Sequence, residues 1–174
     1  MRQGTISVLF GCHSIVHSIL VVLAWKKLYG GWPQPWQVIC VFLHDIGHWG
    51  TDYLDNQDEK KRHWVLGADV AGNLFGIDAY YFTAGHCAHS ECPESMLYKA
   101  DKYSYYIAPT WWLWWNSIVE PRLNSGARIK VAILKFRAQV KESIESGEYR
   151  ESHEMFLDRK EVVKHESGTG ANRH

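Results

Sequence analysis

The stretch VFLHDIGHWG, residues 41–50, sets an adjacent histidine and aspartate into a run that otherwise reads as buried helix and stops at glycine. Desolvating such groups without partners costs roughly 2 to 7 kcal/mol for a polar group and more for a charge. A fold that buries residues 36–46 must therefore supply His44 and Asp45 with a compensating partner, and a metal ion suits both donors. Its other ligands must come from elsewhere in the chain.

Helical punctuation dominates the remainder. Val8 to Leu28 carries apolar residues at mixed three- and four-residue steps, and Gly30-Gly31 followed by Pro33 and Pro35 closes that segment and opens the next. This predicts a first helix of about 20 residues. Trp36 to Ile46 is apolar on every side, which predicts a short helix at the centre of the bundle, ending at Gly47. GTDYLDNQDEKK, residues 50–61, is a polar loop or helix entry. RHWVLGADVAGNLFG resumes a helical pattern whose two internal glycines permit close helix contact. DAYYFTAGHCAH, CPESMLYKADKYSYYI (opened by Pro93) and PTWWLWWNSIVEPRL (opened by Pro109) read as further helices, and GARIKVAILKFRAQVKESIESG is amphipathic. No alternating strand pattern longer than four residues competes. The expected fold is all-α: a single-domain helical bundle of about six to eight helices over residues 1–146, then a charged segment 147–174 whose end is expected to be disordered.

Composition narrows the function. A chain of 174 residues, 46% hydrophobic, supports one domain with its own core. Lys+Arg and Asp+Glu are 19 each, so no general attraction to long nucleic acid or anionic membrane is expected. Ser14 to Trp25 is too short and too polar for a spanning helix. Cys12, Cys40, Cys87 and Cys92 form no CxxC pair, which suits reduced thiols and a cytoplasmic location.

The candidate ligands follow in order: His17 in the first helix, His44 and Asp45 on the second, His63 opening the third, His86 beside Cys87, and Asp101 in LYKADKYS. His13, one turn before His17, competes for the first place. Imidazole and carboxylate together suit one or two divalent ions, with manganese, iron, cobalt, zinc and magnesium all compatible. Asp45 is placed to bridge two of them.

This ordered set resembles the HD superfamily of metal-dependent phosphohydrolases, whose signature is H, HD, H, D on a helical bundle. The likeness covers roughly residues 10–110: HSILVVLAWKKLYG resembles the family's first helix, RHWVLGADVAGNLFG a helix beginning with a ligand histidine, and HSECPESMLYKADKYS its closing helix. HDIGH is similar to the HDIG subtype. The double histidine and GYP segment of cyclic dinucleotide phosphodiesterases are absent, and His48 stands where the nucleotidase type carries a glutamate. The resemblance implies attack of a metal-activated water on phosphorus, with His17, His44, Asp45, His63, His86 and Asp101 as ligands. His48, Lys102, His89 and Tyr105 are the candidate substrate contacts, Asp45 and His48 being the catalytic pair. The implied substrate is a small phosphate ester, a nucleotide first. The alternatives are an HD-type di-iron oxygenase cleaving an organophosphonate, and a non-catalytic domain that binds metal or nucleotide. TWWLWW places tryptophans around a whole helix, so some must face outward, and homo-oligomerisation through residues 110–119 is the expectation drawn from them.

Overall fold

A computed structural model describes residues 1–52, 56–120 and 129–146. Among them lie nine α-helical segments and no strand: α1 Gln3–Phe10, α2 Ile15–Tyr29, α3 Pro35–Leu43, the single turn α4 Gln57–Lys61, α5 Trp64–Phe75, α6 Ile77–Ala84, α7 Met96–Ile107, α8 Thr110–Val119 and α9 Ile129–Ser146. A 3-10 turn, Ile46–His48, follows α3. The all-α expectation holds. The end of the loop before α4, the connection 121–128 and the segment 147–174 lie outside the described residues.

Two expectations need correction. The predicted first helix is two helices, α1 and α2, bent by 56° at the turn Gly11–Ser14. That turn is imposed from a distance: the Cys12 N–H is donated to Glu120 at 2.7 Å, and a Cβ at Gly11 would overlap the same carboxylate. Nor is α3 central. Only Cys40 and Val41 are buried, while Ile39 and Phe42 are more than two-fifths exposed, so its outer face is apolar and uncovered. Smaller shifts have local causes. Pro93 stands ahead of α7, which begins after Ser95, and Pro109 is the cap of α8 rather than its first residue.

One apolar cluster joins α2, α3, α5, α6 and α7 through Val21, Trp25, Val41, Ala71, Phe82 and Leu97; a second joins Cys12, Leu20, Ala108, Trp112 and Leu113. The tryptophans of α8 divide as the sequence requires, with Trp112 buried and Trp111, Trp114 and Trp115 outward. No single helix among the described residues is long and apolar enough to cross a membrane. None of the four cysteines is in a disulfide.

Glycines set how closely the site-bearing elements approach. A Cβ at Gly67 would meet the backbone of Leu43 and His44, so α5 rests directly on the end of α3. A Cβ at Gly47 would overlap the backbone carbonyl of His63. These two contacts bring the His44-Asp45 corner against the start of α5.

Candidate metal centre

All six expected ligands converge. Asp45 is the hinge between two groups. On one side its Oδ2 lies 3.1 Å from His44 Nε2 and 3.4 Å from His17 Nε2, and Asp101 Oδ1 from α7 lies 2.9 Å from His17 Nε2. On the other side its Oδ1 lies 3.7 Å from both His63 Nε2 and His86 Nε2. His17 and His44 are fully buried, and Asp45, His86 and Asp101 nearly so.

Hydrogen bonding fixes which ring nitrogen faces inward. His44, His63 and His86 place Nδ1 at 2.6, 2.6 and 2.5 Å from the carbonyl oxygens of Val41, Lys60 and Thr83, each three residues back. A carbonyl only accepts, so Nδ1 carries the proton and Nε2 of the neutral ring carries a lone pair. His17 follows the same rule through a hydroxyl: Ser104 donates to the carbonyl of Asp101 at 2.6 Å and stands 3.4 Å from His17 Nδ1.

The inward atoms are thus all acceptors. His63 Nε2 and His86 Nε2 face one another at 3.1 Å, lone pair to lone pair. Neutral His17 and His44 would each turn an Nε2 lone pair toward a carboxylate oxygen, at 2.9 and 3.1 Å. Buried acceptors held against acceptors repel unless a cation lies among them. Two nitrogens bound to one ion at about 2.0 to 2.1 Å and near right angles stand about 3 Å apart, so the donor set fits a divalent metal in both spacing and chemistry.

Electrostatics carries the same signature. Burial opposes charge on His44, but Asp45 and Asp101 overcome it and push its pKa up to about 10, a proton taking the cationic role. Burial, with His44 and His63 nearby, pushes His86 down to about 3, and burial also lowers His63. Both stay neutral, the form that binds metal. Burial works against ionised Asp45 and Asp101, yet His44 and His13 around the first, and Lys102 and His17 around the second, hold both well below the usual carboxylate range.

The expected substrate contacts fall in different places. His48, buried on the 3-10 turn, stacks on His63 at 4.4 Å between ring centroids. Lys102 binds Asp101 Oδ2 at 2.8 Å, at the edge of the centre. Tyr105 packs against His17 at 5.1 Å and near Trp112, and burial raises its phenol well above the ordinary value. His89 stands exposed in the turn after His86, and Cys87 is buried, as a packing residue would be. Sequence reasoning missed Ser7, Ser104 and Glu120, and weighed His13 only as a rival to His17. Gly11 and Ser14, a breaker and a helix cap flanking Cys12-His13, were the available signal. No family model, no curated protein and no solved structure matches the chain.

Proposed function

We propose that the chain is a metal-dependent phosphohydrolase of the HD type acting on a small phosphate ester, with a nucleotide as the expected substrate. The observation that carries this reading is the convergence of two lone-pair sets, His17–His44–Asp101 and His63–His86, on the two oxygens of Asp45. His17, His44, Asp45, His63, His86 and Asp101 would hold one or two divalent ions, whose chemistry when bound is to lower the pKa of a water and act as a Lewis acid toward a phosphoryl group. The protein's own groups do the rest. The Nδ1 bonds hold the rings of His44, His63 and His86 in register, a ring nitrogen of His48 lies within 4.8 Å of Asp45, where it would meet a phosphoryl oxygen of a bound ester, and Lys102 adds positive charge at the edge. A reducing, cytoplasmic setting belongs to the same proposal.

Release of phosphate and pyrophosphate from nucleoside mono-, di- and triphosphates and dinucleotides, with manganese present, tests it against Asp45→Ala. Turnover by the wild type alone supports the hydrolase. Silence across the panel, with iron bound and oxygen consumed on an organophosphonate, would replace it with the oxygenase reading. Silence in both assays would leave a binding domain.

A further inference from the structure

Glu120 closes α8 with a carboxylate that is only 3% exposed. Three donors converge on it: the Ser7 hydroxyl at 2.5 Å, the Cys12 N–H at 2.7 Å and the Cys12 thiol at 3.0 Å. Gly11 leaves the space that the carboxylate fills. Helix packing alone does not call for this arrangement, because an apolar side chain would close the same gap without desolvating a charge.

The network leads to His13. Ser7 Oγ lies 2.6 Å from His13 Nδ1. A hydroxyl has one proton, and here it is donated to the carboxylate, so Oγ accepts from His13 and fixes its proton on Nδ1. The acceptor atom of the neutral ring is then Nε2, the same arrangement found in His44, His63 and His86. The ring lies on His48 at 4.0 Å between centroids, and ligand atoms of His13, Asp45 and His48 fall within 4.8 Å of one another. His13 therefore borders the centre on the side of Asp45 that faces α1.

We infer that His13 is a working member of the centre, a neutral imidazole that offers its Nε2 lone pair to an O–H or N–H donor on the bound substrate or its water, with Ser7 and Glu120 as the residues that position it. The tautomer stands on the hydrogen bonds alone; the effect on turnover rests on the hydrolase reading.

Two-bond proton–nitrogen correlation spectra of metal-free protein labelled with 15N-histidine read the tautomer directly, with His13→Gln assigning the resonance. The wild type is expected to show His13 protonated at Nδ1. Ser7→Ala and Glu120→Gln should shift it toward the Nε2-protonated form that imidazole prefers in water. Both variants should also lower kcat about 10- to 100-fold, the range of outer hydrogen-bond partners in metal sites, with KM within about twofold and metal content unchanged. A wild-type His13 protonated at Nε2, a tautomer unmoved in the variants, or an unaltered kcat would each overturn the inference. If Glu120→Gln fails to fold, Ser7→Ala, which keeps both Cys12 bonds to Glu120, decides it. If no substrate is turned over, the spectra still settle the tautomer, and only the hydrolase reading has failed.

Discussion

Replacing Gly67 with alanine alters no ligand and no charge, yet it should dismantle half of the centre. The added methyl would lie 3.0 Å from His44 O, 3.2 Å from His44 Cα and closer still to Leu43 O, where ordinary contact begins at 3.4 Å. All three are main-chain atoms at the end of α3 and cannot rotate away. Helix α5 must therefore retreat by roughly 0.5 to 1 Å, a shift of the kind that overpacking forces at a cost of about 1 to 3 kcal/mol. Alanine's better helix propensity returns about 1 kcal/mol. The net loss of up to about 2 kcal/mol corresponds to a fall in Tm of several degrees for a chain of this size. Because α5 carries His63 at its start, the same shift lengthens the 3.7 Å approach of His63 to Asp45. Metal bound per chain, measured by mass spectrometry after equilibrium dialysis against manganese, should fall from two to one. Gly72→Ala is the milder contrast on the same helix: its methyl would meet Tyr80 Cβ at 3.1 Å, so α6 need give by only a few tenths of an ångström, and Tm should fall less than in Gly67→Ala with metal binding unchanged. If Gly67→Ala matches that contrast in Tm and still binds two ions, the close approach of α5 to α3 does not organise the site.

Three further expectations follow from the geometry. His86→Ala should bind one ion per chain and Asp45→Ala none with measurable affinity, since Asp45 faces both groups, one through each carboxylate oxygen; equal loss from both variants would contradict the two-group arrangement. Metal-free protein should be most stable near pH 6.5. His86 is held at about 3 against an ordinary 6.5, so below pH 6.5 the unfolded chain takes a proton that the folded chain refuses, and stability falls as pH falls. His44 is held at about 10, so its contribution is complete below pH 6.5 and disappears as pH rises toward 10; each group can contribute up to about 1.4 kcal/mol per pH unit, and urea midpoints in EDTA that stay level from pH 5 to 9 would refute both assignments. Trp111, Trp114, Trp115 and Ile118 leave α8 with an exposed apolar face, which is expected to pair with a second copy. Sedimentation velocity should show a concentration-dependent dimer that Trp111→Ser with Trp114→Ser abolishes, and a wild type that stays monomeric would remove the idea.

The cluster of candidate ligands was legible because each is costly to bury unless it has a partner, and because their order along the chain tracks the order of helices that meet around Asp45. Helix type and approximate position were legible for the same local reason, that Gly, Pro and apolar spacing act within a few residues. What escaped has non-local causes. The break at Gly11 answers to Glu120, more than a hundred residues later: Gly11 and Ser14 hint locally at a break, but nothing near them reveals the carboxylate that fixes it. The place of α3 was misjudged because an all-apolar composition measures how much could be buried, not what covers it; Ile39 and Phe42 face outward all the same. His13 was undervalued because spacing along a helix cannot distinguish a ligand from a residue held beside it by a serine and a buried carboxylate.

The carbonyl locks on His44, His63 and His86 have a consequence for how such a centre can vary. The acceptors belong to Val41, Lys60 and Thr83, but the atom used is main-chain oxygen, which every amino acid possesses. Those three positions can drift through many side chains while the rings keep their aim, so the orientation of the centre is inherited through the path of the backbone. The relay to His13 has no such freedom, because Ser7 and Glu120 act through their side chains. Across divergent sequences sharing this architecture, the inner ligands would persist amid unremarkable neighbours, and any histidine held as His13 is held would be gained or lost together with its serine and its glutamate.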